Sequence, residues 1–197
     1  RTAYGEVVLA AIGRVPNTDA DWFRSSGLKL DERGYVTVDG YGRTNLDGVW
    51  ALGDITPGHA LAHRAFEQGI TIAEKIAGAD PKPVIDDTVP QVVFSFPEAA
   101  SVGLTLDQAK AREDVVEPKE TAYPMLSNAR MLMSGEGGSM TVVSGAFANN
   151  PDMQVVLGVH IVSPIASDLI AEAEQLVGNR VPLADAARLI HPHPTFS

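Results

Sequence analysis

The chain has 197 residues, 45% hydrophobic and 20% charged, with a mean hydropathy of +0.02, a globular composition that excludes disordered and fibrous proteins. Fifteen Lys and Arg against 25 Asp and Glu give a formal charge of −10, spread as −4 over residues 1–87 and −6 over 88–197, so no basic face serves nucleic acid or an anionic membrane. No apolar run approaches the ~18 residues of a membrane span and no signal peptide is visible, so a cytoplasmic protein is expected. The absence of cysteine excludes disulfides, Cys-ligated zinc, iron–sulfur clusters and a thiol nucleophile from this chain.

Soon after Arg1 the chain enters Val7-Val8-Leu9-Ala10-Ala11-Ile12, a continuous apolar run closed by Gly13. It predicts a strand buried on both faces, which needs neighbours on either side. Nothing before it supplies them, and the far end stops at Thr195-Phe196-Ser197, so the chain is expected to be part of a longer polypeptide. Tyr35–Val38 and Val49–Leu52 are β-branched or aromatic runs bracketed by turn residues, and each predicts a strand. Between Ala60 and Ala77 the residues Ala62, Ala65, Phe66, Gly69, Ile72, Ala73, Ile76 and Ala77 recur at helical spacing, with Arg64, Glu67, Thr71, Glu74 and Lys75 turned outward. Gly78 ends this helix. The prolines of Gly78-Ala79-Asp80-Pro81-Lys82-Pro83 then predict a linker, dividing the chain into domains 1–85 and 86–197.

In the second domain, Val92–Phe96 and Ala100–Leu104 read as strands, and Leu106–Arg112 as a short helix with Thr105 as its cap. Met140–Val143 and Val155–Val162 read as an antiparallel pair joined through the polar loop Asn149–Asp152. Gly135-Glu136-Gly137-Gly138 matches neither a phosphate loop nor a dinucleotide fingerprint and reads as a flexible hairpin. Ser163-Pro164 is a helix start signal, and the helix it opens carries Ile165, Ala166, Leu169, Ile170, Ala173, Leu176 and Val177 on one stripe. A second short helix is predicted over Leu183–Leu189. Strands followed by helices predict an α+β domain, an antiparallel sheet with helices on one face.

Three stretches could carry chemistry. Trp50-Ala51-Leu52-Gly53-Asp54 places a carboxylate at the end of a strand before a helix N-terminus, where it either holds the hydroxyls of a cofactor or acts as a turn residue. His191-Pro192-His193-Pro194-Thr195 is held extended by its prolines and directs two imidazoles to one side, offering a metal pair, a general base, or surface turns. A metal lacks a third ligand nearby, since the other histidines are His59, His63 and His160. Gly13-Arg14-Val15-Pro16-Asn17 follows an expected strand with a glycine that permits close backbone approach.

Taken in order, Gly13-Arg14-Val15-Pro16-Asn17-Thr18, Tyr35 to Val38-Asp39, Arg43-Thr44-Asn45, Trp50-Ala51-Leu52-Gly53-Asp54, Leu61-Ala62-His63 and His191-Pro192-His193-Pro194-Thr195-Phe196-Ser197 resemble the C-terminal portion of the flavin-dependent pyridine nucleotide–disulfide oxidoreductases, in particular their dihydrolipoamide-oxidising branch. The resemblance spans nearly the whole chain, least over residues 110–155. It implies an α/β remnant of the NAD- and FAD-binding domains over 1–85 and an α+β interface domain over 86–197 that pairs two subunits in a homodimer. It further implies that Gly13 lies near the nicotinamide end of NAD and that Asp54 accepts a hydrogen bond from the ribityl chain of FAD. The amides of Ala60, Leu61, Ala62 and His63 then face the flavin's pyrimidine edge, where a helix N-terminus favours the charge of reduced flavin. His193 becomes the acid–base residue, reaching the redox-active thiols of the partner subunit, with His191 a structural neighbour.

The departures are equally definite. The family's cysteine pair and flavin-adenine fingerprint have no counterpart here, and the acidic residue that orients the histidine is expected five positions after His193, past Ser197. The implied activity is oxidation of dihydrolipoyl groups, carried on a subunit of a 2-oxoacid dehydrogenase complex, through a disulfide and FAD to NAD⁺. Another flavoprotein disulfide or quinone reductase, or a noncatalytic dimerisation fragment, are the alternatives.

Overall fold

Short side chains with carboxylates shape much of the first half of the chain. In the computed structural model, which describes residues 2–197, two units divide between Val84 and Ile85. In the first, Asp31 Oδ1 accepts hydrogen bonds from the amides of Arg33 and Tyr35, and Asp39 Oδ1 from those of Tyr41 and Arg43, each at 2.9 Å. These local turns use amides that a sheet ladder would otherwise claim. The strands expected at 35–38 and 49–52 are present only as single bridges, Leu30 with Val36 and Arg43 with Trp50. The strand expected over 7–12 is not formed; Val7, Val8, Leu9 and Ile12 are 86–99% exposed, because no described residue pairs with the backbone there.

A small core of Phe23, Val36 and Ala51 holds this unit together, flanked by Leu28, Val38 and Ile55. Phe23 comes from α1 (Asp21–Ser25), a helix that no periodicity announces. The long helix α2 runs Ala62–Ile76, two residues shorter at its start than the spacing predicts. Its faces also differ from expectation. Arg64 and Thr71, read as outward, are buried, whereas Phe66 and Ile76 are exposed. Arg64 is accommodated because its guanidinium Nη2 donates to the Pro57 carbonyl at 2.6 Å while its stem lies against the protein.

The second unit is the α+β domain that strands followed by helices predict. Its sheet has the order β1-β2-β5-β4-β3 and is antiparallel throughout: β1 Gln91–Val93, β2 Glu98–Gly103, β3 Val115–Pro124, β4 Ser139–Phe147 and β5 Asn150–Ser163. β1 is shorter than the expected Val92–Phe96, and Phe94 and Phe96 are exposed beyond its end. β3 and the helix α4 (Ala129–Ser134) lie in the stretch with the weakest pattern. The loop expected at 149–152 is mostly strand, since β4 and β5 pair up to Phe147 with Asn150. Gly135–Gly138 is a packed connection: Gly135 caps α4, and a Cβ on Gly138 would meet the Val162 carbonyl oxygen at 2.2 Å.

α3 (Leu106–Ala111) starts where Thr105 predicts, with a reciprocal capping box between Thr105 and Gln108. α5 (Ala166–Gly178) begins later than the Ser163-Pro164 signal, because the Ser163 hydroxyl accepts from the Ile165 amide and closes a turn instead of the helix. Its stripe is nevertheless the expected one. Ala166, Ile170, Ala173 and Val177 are buried, and Ile165, Leu169 and Leu176 pack beside them. The last helix, α6 (Leu183–Ala186), stops short of the expected Leu189.

One irregularity decides which face of β5 meets α5. Val155 and Leu157 belong to a cluster with Leu104, Ala109, Val115 and Val143, while Val156 faces the α5 side. The register between β4 and β5 then shifts, with Val143 opposite Gly158 and Ser144 opposite Val156. This bulge reverses the alternation, so that Val159 and Ile161 face α5 and His160 faces the opposite side. On the other edge of β5 at this point, Gly103 and Gly158 meet backbone to backbone; a Cβ on Gly103 would lie 2.2 Å from the Leu157 carbonyl oxygen and one on Gly158 2.1 Å from that of Leu104, just past β2. Among the described residues no helix is long and apolar enough to cross a membrane.

Candidate functional site

Within the first unit, the turn carrying Asp54 is fixed against α2. The Gly53 amide donates to Gln68 Oε1 at 2.8 Å, and the buried Thr56 hydroxyl donates to the Gly53 carbonyl at 2.8 Å. Gly53 adopts φ +73°, and a Cβ there would already lie 3.4 Å from Ala65 Cβ, so the turn sits directly on the start of the helix. Asp54 is exposed in the middle of this single turn, Gly53–Ile55. Ala60 and Leu61 precede α2, and Ala62 and His63 begin it; Leu61, at the capping position, has no side chain able to close it.

An exposed carboxylate that accepts from hydroxyls, beside a helix end without a side-chain cap, fits a polyol chain leading to an electron-rich ring edge. The donor and acceptor set is thus compatible with a flavin. Gly13 takes φ +133° with nothing within 4 Å of its Cβ position.

In the second unit the His-Pro segment leaves α6 without regular structure. The two imidazoles behave differently. His191 Nε2 and Glu172 Oε1, from the middle of α5, are 2.5 Å apart, and this hydrogen bond, with the carboxylate's charge, raises the His191 pKa above its ordinary value. His193, two residues on, is exposed and its side chain makes no hydrogen bond or ion pair with any described residue. Thr195 Oγ1 donates to the Pro192 carbonyl at 2.7 Å, a brace across His193. Phe196 packs against the domain core, and the Arg130 guanidinium stands 5.4 Å from its ring centroid. No group of three or more His, Cys, Asp or Glu among the described residues is arranged to hold a metal ion.

Residues 89–197 match the dimerisation domain of the pyridine nucleotide-disulphide oxidoreductases, and residues 1–69 match a further pyridine nucleotide-disulphide oxidoreductase domain. The chain belongs to this family. Among the oxidoreductases it resembles is a dihydrolipoyl dehydrogenase from Cupriavidus necator, 41% identical over 96% of this chain and 39% of that protein. A dihydrolipoyl dehydrogenase from Geobacillus stearothermophilus is 39% identical over the full chain and 40% of its own length. The crystal structure of LpdA from Mycobacterium tuberculosis superposes with a TM-score of 0.82 at 32% identity, covering 95% of this chain and 39% of LpdA. The chain therefore spans about 40% of the length of the curated relatives it matches.

Glu172, Arg130 and Phe196 are the contacts of the His-Pro segment that sequence reasoning passed over. Glu172 reads as a polar residue flanking the α5 stripe, 19 positions before His191. Only the return of the chain past α6 brings it there.

Proposed function

We propose that the chain supplies the acid–base histidine and the flavin-facing segment of a dihydrolipoyl dehydrogenase. The net reaction converts a dihydrolipoyl dithiol and NAD⁺ to the cyclic lipoyl disulfide, NADH and one proton, a two-electron transfer. The observation that carries the reading is the contrast between the two imidazoles. His191 is held by Glu172, whereas His193 is exposed and makes no hydrogen bond or ion pair with any described residue, on a segment that matches a dimerisation domain. Relatives named dihydrolipoyl dehydrogenase over nearly the whole chain support the same assignment.

The chemistry asks for a base at this place. A thiol attacks a disulfide only as thiolate, and an imidazole, titrating near neutrality, can take the proton and return it. A ring nitrogen of His193 accepts the proton of the substrate thiol. The resulting thiolate forms a bond to one sulfur of the enzyme's disulfide as the S–S bond breaks, and His193 returns the proton to the sulfur released. His193 then takes the proton of the second substrate thiol, whose thiolate attacks the substrate sulfur of the mixed disulfide and closes the lipoyl disulfide; the enzyme sulfur that leaves receives this proton, so the enzyme's pair ends as a dithiol. That pair must come from polypeptide outside these 197 residues, which contain no cysteine; in this reading the longer protein forms a homodimer, and His193 of one subunit reaches the cysteine pair of the other. FAD, when bound, relays two electrons from the dithiol to NAD⁺. Asp54 would hold its ribityl hydroxyls, the amides of Ala60 to His63 would face its pyrimidine edge, and Gly13 would lie on the nicotinamide side of NAD. The electron donor is the lipoyl-bearing subunit of a 2-oxoacid dehydrogenase complex.

Replacing His193 by Gln in the full-length holoenzyme keeps a similar shape but removes proton transfer, and reduction by dihydrolipoamide is expected to slow by about a hundredfold to ten-thousandfold. Flavin content and dimer mass are expected to stay at wild-type values. A variant that reduces as fast as wild type overturns the assignment.

A further inference from the structure

The segment that carries His193 is anchored on both sides of that residue, and by different means. Upstream, His191 is tied to Glu172 of α5. Downstream, Phe196 is inserted among the core residues beneath Arg130 of α4. Between the anchors, Pro192 and Pro194 restrict φ, and Thr195 spans the bend by donating to the Pro192 carbonyl at 2.7 Å. His193 lies exposed in the middle of this span, without a hydrogen bond or ion pair to any described residue. Both anchors border one apolar groove of about 460 Å³ between the sheet and α5.

From this arrangement we infer that Glu172 is a positioning residue: through His191 it fixes the backbone from which His193 reaches the substrate thiol, with Phe196 and Arg130 as the second anchor. The inference rests on His193 being the base. An imidazole side chain leaves its backbone on a short stem, so freedom at residue 191 passes to residue 193 almost undiminished. Proton transfer needs hydrogen-bond reach, and displacement of about 1 Å in a positioned group is enough to cost about a hundredfold in rate.

The electrostatics of the upstream anchor are simple. Among the side chains of the described residues that line the groove, Glu172 from α5 is the only carboxylate, and Tyr123 from β3 is the only other ionisable group besides His191 itself. The raised pKa of His191 accords with an ion pair formed to that carboxylate, and the Leu189 backbone adds a smaller contribution in the same direction.

The test uses the full-length holoenzyme with the variants E172A, E172Q and H193Q, and reads two half-reactions separately. Reduction of the flavin by dihydrolipoamide requires the base. Oxidation of NADH through the flavin by an artificial one-electron acceptor does not. E172A is expected to slow the first by about tenfold to a hundredfold and to leave the second unchanged. E172Q retains an acceptor oxygen of equal reach and is expected to recover most of the loss. By NMR, the His191 midpoint is expected above the ordinary imidazole value of 6.5 in wild type and to fall toward it in E172A.

Equal loss in both half-reactions would mean that Glu172 merely supports the fold, and this overturns the inference. So does E172A with dihydrolipoamide reduction at the wild-type rate while H193Q is crippled. If H193Q reduces normally, the functional reading itself fails; the NMR midpoint then still reports whether the Glu172–His191 pair exists, so the two failures are told apart.

Discussion

Replacing Gly158 by Ala tests the bulge that turns β5 over. A Cβ built there lies 2.1 Å from the Leu104 carbonyl oxygen, 2.7 Å from its nitrogen and 3.0 Å from its carbonyl carbon. All three neighbours are backbone, so no rotamer change relieves the clash. Restoring an ordinary separation moves β2 and β5 apart by about 1 Å, which stretches the Leu104 N–H to Leu157 carbonyl bond from 2.9 Å to about 3.9 Å and abolishes it. Leu104 and Leu157 are 7% and 4% exposed, so water does not replace the lost partner. An unsatisfied buried group costs about 1–3 kcal/mol and overpacking a similar amount, and part of each is relieved by relaxation. The expected loss is about 2–4 kcal/mol in urea unfolding of the intact protein, read as a lower midpoint at unchanged slope. A Gly158→Ala protein within about 0.5 kcal/mol of wild type, the range of ordinary surface changes, would refute the reasoning about this contact.

Two more outcomes follow from the same description. In α2, Gly69 has helical geometry and its Cβ position is 3.9 Å from Leu52 Cδ2, so Gly69→Ala is expected to stabilise the first unit by about 0.5–1 kcal/mol, and thermal unfolding at a lower temperature than wild type would contradict this. Arg112 donates to Asp114 at 2.8 Å from Nε and 2.7 Å from Nη2, and to Asp87 at 2.9 Å from Nη1, and its hydrogen bonds and charge hold the Asp114 carboxyl below the ordinary aspartate value of 3.8. A carboxyl whose folded pKa is depressed stabilises the fold above its unfolded value, and that contribution disappears as pH falls through the folded one. Arg112→Met is therefore expected to raise the Asp114 midpoint toward 3.8 by NMR and to flatten the acid limb of the stability curve; an unmoved Asp114 midpoint counts against the pairing.

Signals contained within one element were legible from the residues alone. The α5 stripe from Ala166 to Val177 and the Thr105 cap of α3 depend on spacing of three or four residues, and the structure places them as the spacing predicts. The His-Pro ending could be read as a restrained presentation of imidazoles because proline acts on its own backbone. β3 escaped notice because an edge strand with mostly exposed side chains has no apolar alternation to detect, as Val115–Pro124 shows. The run at 7–12 has the composition of a buried strand, yet composition cannot provide the neighbours that a ladder needs.

What the sequence by itself determined is therefore local: that α2 and α5 are helical, where α3 begins, that no thiol is supplied, and that a pair of histidines sits at a proline-stiffened end. Which of those histidines is held and which is left exposed was decided by tertiary structure, when the turn after α5 and the short α6 returned residue 191 to Glu172. The phase of β5 was decided the same way, by the register shift in its pairing with β4, at the point where Gly158 lies against Gly103, two glycines 55 positions apart that read singly as ordinary breaks in a strand. In both cases the deciding interaction joins elements whose separation in the chain exceeds any local period. Its energy exists only once the sheet has ordered the backbone, and for that reason no window of sequence contains it.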